Sequence, residues 1–182
     1  MSRYDNRGGA FTLLELLISI LVIGILASLT ITAVSSLRAR AQRIQCMANL
    51  YALYVGAEGY MQQNGSWPQI GFLDDSDNSD HDYAVSWITA LSPFGVSAKA
   101  WICPTAQESM GNPDYLQPEN MRIDYVATGF DDKPTSPHEW PRQPWFIETG
   151  DQHGNGNLII FTDGSVTDLH TVAPSSSPTA PH

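Results

Sequence analysis

From Phe11 to Val34 nearly every position is apolar; the exceptions are Glu15 and a few serines and threonines. A helix of that length rises roughly 36 Å, enough to cross a bilayer core of about 30 Å. The pattern then becomes periodic. Leu37, Ala41, Ile44, Ala48, Tyr51 and Val55 recur three or four residues apart, the spacing of one apolar stripe on a helix packed against a globular domain. Arg38, Arg40, Arg43 and Gln45 fall mostly off the stripe. No proline precedes Pro68. The two segments therefore read as one helix from about Phe11 to about Gln63, roughly 80 Å long, with Asn64-Gly65 as its stop and Gly24 and Gly56 as its weak points.

Beyond Pro68 the pattern breaks into short pieces. Residues 74–82, DDSDNSDHD, are a polar run, and Val85 to Leu91 fits a short helix. Pro134, Pro137, Pro141 and Pro144 mark residues 130–145 as loop. "NLIIF", "TDGS" and "VTDL" then spell strand, turn, strand. An Asp-Gly pair in a two-residue hairpin puts both residues at positive φ in a type I′ turn, which is the expectation for Asp163 and Gly164. The tail TVAPSSSPTAPH is Pro/Ser-rich and expected to be disordered. The fold class that follows is α+β: a long N-terminal helix on a small antiparallel sheet.

Charge narrows the function. The chain carries a formal charge of -10. Arg3 and Arg7 precede the apolar stretch, and Arg38, Arg40 and Arg43 follow it. From Tyr51 onward only Lys99, Arg122, Lys133 and Arg142 are basic, against seventeen Asp and Glu. Such a domain repels nucleic acid and anionic membrane. With no GxSxG, HExxH, P-loop or dinucleotide fingerprint, no enzyme is expected. The two cysteines, Cys46 and Cys103, form no CxxC pair, which excludes a zinc ribbon or thioredoxin motif. They are a candidate disulfide if the domain is exported, or else two buried thiols. The apolar stretch is too long for an ordinary cleaved secretory signal.

A carboxylate within so apolar a segment is costly, at roughly 2.5 kcal/mol or more in mid-bilayer. "AFTLLELLISILVIGILA" resembles the N-terminus of type IV pilin-like proteins, which include pilins and the pseudopilins of type II secretion. The resemblance implies a leader of residues 1–10, cut by a prepilin peptidase between Ala10 and Phe11. Phe11 becomes an N-methylated terminus and Glu15 the fifth mature residue. Ala10 departs from the more usual glycine. The resemblance further implies an assembly helix at 11–34, its amphipathic continuation at 35–63, a globular domain at 64–172 and a tail at 173–182. "HGNGNLIIFTDGSV", with nine residues between His153 and Asp163-Gly164, resembles the H-X9-DG signature of a pilin-like subgroup common in planctomycetes and relatives. "CMANLYALYVGAEGYMQQNGSWP" and "WICPT" resemble that subgroup too.

On this resemblance the chain is a filament subunit, either a pseudopilin of type II secretion or a minor type IV pilin. Its expected partners are prepilin peptidase, other pilin or pseudopilin subunits, an inner-membrane assembly platform and the lipid bilayer. It is expected to cross the inner membrane once, with its globular domain periplasmic or extracellular. Glu15 then pairs with the Phe11 amine of a neighbouring subunit, since a buried carboxylate needs a partner. The reading from another class is a membrane-anchored extracytoplasmic protein that binds a cation or glycan and never polymerises.

No cofactor is required by any motif, and calcium is the one candidate. Hard oxygen ligands suit calcium. An EF-hand starting at Asp75 would need glycine at Asp80 and glutamate at Ser86, so that motif fails; Asp75 and Asp77 stay as candidates because some pseudopilins hold calcium in a loop. Asp151, His153 and Asp163 form a second candidate cation set if the hairpin folds back. The alternative is structural, with Asp163-Gly164 a plain turn and His153 bonded to nearby backbone.

Overall fold

The computed structural model describes residues 12–71, 80–111 and 114–172, with backbone alone for 30–33. The chain divides into two compact units, Met1–Arg40 and Ala41–His182. The boundary falls inside α1 (Leu13–Asn64). Candidate positions Ala10, Phe11, Asp75 and Asp77, and the tail from 173, lie outside the described residues.

In the first unit α1 opens on a cap. Thr12 Oγ1 accepts the Glu15 N–H at 3.2 Å, the bond of a T-x-x-E helix start. Glu15 thus sits in the first turn, where its charge suits the helix dipole. Every described side chain from Thr12 to Leu29 is exposed, although most are large and apolar.

The second unit is built around the rest of α1. The helix stops as expected: Gly65 is left-handed (φ 76°), and its N–H reaches Met61 O at 2.8 Å. α2 (Asp80–Leu91) starts earlier than the predicted Val85, with Asp80 and Asp82 in its first turn. Acidic side chains at a helix start are stabilised by the dipole, so the end of the polar run is helix rather than loop. Pro93 ends it, in the 3-10 turn Ser92–Phe94. α3 (Pro104–Met110) begins with proline at its first position and closes on left-handed Gly111.

Four strands follow: β1 (Tyr125–Ala127), β2 (Pro144–Glu148), β3 (Leu158–Phe161) and β4 (Val166–Asp168). They form an antiparallel meander in the order β1-β2-β3-β4, and α4 (Leu169–Val172) follows directly. The predicted loop over 130–145 is corrected at its end, since Pro144 opens β2. Proline is tolerated there as the first residue of a strand, next to an irregularity in the β2–β3 register. The type I′ expectation is also corrected. Among described residues Arg142 alone is non-glycine at positive φ, so Asp163 is not. Gly164 N–H bonds Phe161 O at 2.9 Å and Phe161 N–H bonds Ser165 O at 3.1 Å. The loop is therefore the three-residue hairpin type, in which the glycine alone takes the left-handed position.

The core lies between the sheet and one face of α1: Cys46, Leu50, Leu53 and Ala57 pack with Tyr125, Trp145, Phe146, Leu158 and Ile160. Trp67, Trp87, Trp101 and Trp145 are buried in it, and Trp140 is exposed. A buried aromatic of this size costs about 3–5 kcal/mol to truncate. The helix face that packs is not the predicted one. Ile44, Ala48, Tyr51 and Val55 are exposed, whereas the buried positions run Cys46, Asn49, Leu50, Leu53, Gly56, Ala57. The helix is apolar on two faces; the one with Gly56 and Ala57 allows closer approach to the domain.

Candidate functional site

Two places in the chain carry candidate chemistry. The first is α1 itself. Its N-terminal portion is long and apolar enough to cross a membrane by length and composition, and Glu15 is its one charge from Leu13 to Leu37. In the second unit the exposed stripe Ile44, Ala48, Tyr51 and Val55 leaves a further apolar face of the same helix uncovered.

The second place is buried. Cys46 lies on the packed face of α1. Cys103 is the residue before α3, in extended conformation. Two bonds hold its segment on α1 and the sheet. Asn49 Nδ2 donates to Ile102 O at 2.8 Å, and Asp124 Oδ2 accepts the Cys103 N–H at 2.8 Å. Asp124 is itself fixed by Arg122 at 3.1 Å. The result places the sulfurs of Cys46 and Cys103, both buried, 2.8 Å apart.

Glu148 ends β2 opposite Tyr125 and is 0% exposed. Beyond it, Gly150, Gly154 and Gly156 all take positive φ, and Asp151 Oδ1 accepts the Gly154 N–H at 2.6 Å. This tightly turned connection brings His153 back to Glu148, with Nε2 to Oε1 at 3.4 Å. The nine residues between His153 and Asp163 are the end of that connection, the whole of β3, and Thr162. Asp163 is on the hairpin, where its Oδ1 accepts the Ser165 N–H at 2.9 Å. Among described residues, the group placed to share a ligand is Cys46, Cys103, Glu148 and His153, with neither Asp151 nor Asp163 in it. The predicted trio is thus not brought together; His153 meets Glu148 instead.

Burial shapes the protonation of this group. It raises Glu148 to about 8, with the neighbouring Cys103 sulfur adding to the effect. The sulfur–sulfur hydrogen bond lowers Cys103 to about 6 and drives Cys46 up. Sequence reasoning missed Glu148 because a glutamate ending "PWFIE" reads as a solvent-facing strand end. The available signal was the unbroken apolar run before it.

Residues 5–31 match the family model described as the prokaryotic N-terminal methylation motif. The chain is 32% identical over 90 residues to the type IV major pilin protein PilA of Myxococcus xanthus (strain DK1622); the match covers 47% of this chain and 40% of that protein. No solved structure matches the chain.

Proposed function

We propose that the chain is a pilin-like filament subunit, in a type II secretion pseudopilus or as a minor subunit of a type IV pilus. Prepilin peptidase cuts it between Ala10 and Phe11 and methylates Phe11. The mature chain waits in the inner membrane as a single-pass protein, its globular domain on the far side, until it assembles through α1. The observation that carries this reading is the methylation motif at residues 5–31, coinciding with a helix whose described side chains from Thr12 to Leu29 are all exposed. An apolar surface of that kind needs lipid or other helices around it.

Glu15 gives the assembly its register. Inside a bundle of apolar helices its carboxylate pairs with the Phe11 amine of the next subunit, as buried polar groups set register in other helical assemblies. The exposed stripe Ile44, Ala48, Tyr51 and Val55 of the second unit is a separate contact surface for a second copy. No catalytic role is assigned.

Coexpression with a cognate prepilin peptidase, followed by intact mass of the membrane-fraction product, tests the reading. The expected product starts at Phe11 and is heavier by one methyl group. A chain that keeps Met1 or Ser2 would instead point to an anchored binding protein that does not polymerise.

A further inference from the structure

Four side chains from four separate parts of the second unit converge on one dry point. Cys46 comes from α1, Cys103 from the start of α3, Glu148 from the end of β2 and His153 from the glycine-rich connection. Each offers one donor atom, and the four donors lie within 4.8 Å of one another. Cys46 and Cys103 are 0% exposed, and the side chains of His153 and Glu148 are 4% and 0% exposed.

Packing alone does not account for this set. Glu148 Oε1 and His153 Nε2 are buried 3.4 Å from each other, and neither makes a hydrogen bond among the described residues. An unmet buried polar atom costs about 1–3 kcal/mol, and more if charged. A disulfide between Cys46 and Cys103 would satisfy neither atom. A cation held by all four would satisfy both.

We propose that Cys46, Cys103, Glu148 and His153 form a zinc site. Two sulfurs, an imidazole nitrogen and a carboxylate oxygen suit a borderline-soft divalent cation that prefers four ligands. Zinc–sulfur bonds of about 2.3 Å and zinc–nitrogen or –oxygen bonds of about 2.0–2.1 Å set tetrahedral donors roughly 3.3–3.8 Å apart. The Glu148–His153 separation of 3.4 Å already fits. The sulfurs, at 2.8 Å, must open by roughly 1 Å. With four protein donors no position is left for water, which makes the site structural. Binding releases to solvent whatever protons the two sulfurs and the Glu148 carboxyl carry. Asn49 and Asp124 hold the Cys103 segment from behind, and the Leu158 N–H points to Glu148 Oε2 at 3.4 Å; such outer partners orient ligands before metal arrives. The site is independent of the filament reading, and either can fail alone.

The test uses the full chain in detergent, without a polyhistidine tag, purified under reducing conditions. Zinc is measured by mass spectrometry of the metal, the cysteines by intact protein mass. The expected result is about one zinc per chain, with both cysteines reduced. Cobalt(II) in place of zinc should give a thiolate-to-cobalt charge-transfer band and the intense visible bands of a tetrahedral site. Glu148→Gln and His153→Ala should each weaken zinc binding by about tenfold or more. Cysteine variants risk misfolding, so the cobalt spectrum of the unaltered chain decides. A chain lighter by two hydrogens that takes up no metal after reduction would overturn the proposal in favour of a disulfide. Free thiols with no metal retained after zinc loading would overturn it in favour of a bare Glu148–His153 pair.

Discussion

Arg43 on α1 and Asp168 at the end of β4 are joined by an ion pair of 2.6 Å, Nη2 to Oδ2, across 125 residues of chain. Asp168 is largely buried, and Arg43 is about a third exposed. The pair closes the last strand onto the helix.

Asp168→Asn should therefore destabilise the second unit by about 1–2 kcal/mol, somewhat below the roughly 1.5–3 kcal/mol of a hydrogen bond to a charged group because Arg43 is partly screened by solvent. The measurement is denaturant unfolding of the full chain in detergent, read by tryptophan fluorescence. An unchanged midpoint would mean the pair is solvent-screened and contributes nothing.

Gly56 lies against Val96, and a Cβ there would collide with the Val96 methyl group. Alanine is the better helix former by about 1 kcal/mol, yet overpacking costs typically 1–3 kcal/mol. Gly56→Ala should lower stability, and adding Val96→Ala should restore part of it. A more stable single variant would show that the loop carrying Val96 moves freely.

Ile44 is 66% exposed on the apolar stripe of α1. Ile44→Asp should leave the melting of the monomer within about 0.5 kcal/mol of the parent, as surface changes do. On the filament reading it should still abolish incorporation into filaments, and so should Glu15→Ala. Filaments of normal abundance, counted by electron microscopy, would place the subunit contact elsewhere.

In the metal-free, reduced chain Glu148 makes stability depend on pH. Burial raises it from 4.5 to about 8, so between those values the folded form holds a proton the unfolded form has lost. Its contribution is full below pH 4.5 and fades as pH rises through 8. Cys103, lowered from 9.0 to about 6, acts in the opposite sense above pH 6. Stability should thus fall from about pH 4.5 to 6 and then level. Glu148→Gln should remove the fall. Melts of both proteins over that range in a chelator decide the point, and parallel curves would reject it.

The long helix was legible because its signals agree. An unbroken apolar run, the absence of proline and an Asn64-Gly65 stop all point one way. Its packed face was not. Leu37, Ala41, Ile44, Ala48, Tyr51 and Val55 make the larger stripe, so hydrophobicity alone selects it. Cys46, Leu50, Leu53 and Ala57 make a smaller one, and Gly56 lets the domain approach on that side. β3 and β4 were legible from the Asp163-Gly164 turn between them. β1 is three residues long and β2 starts on a proline, so neither gives a periodic signal of its own. The buried cluster was half visible. Cys46 and Cys103 stood out as a pair, whereas only the fold places Glu148 and His153 beside them.

The tryptophans are sorted by position in a way that makes the chain optically informative. Trp67, Trp87, Trp101 and Trp145 share the core, with successive ring centroids such as Trp67–Trp145 at 5.1 Å and Trp87–Trp101 at 6.1 Å. At those separations their transitions couple, and near-ultraviolet dichroism becomes a signature of the intact interior rather than of any single ring. Trp140, 63% exposed on the rim, is the indole a soluble quencher reaches first. One unlabelled sample therefore offers two readouts, a dichroic signal for the interior and a quenchable emission for the surface.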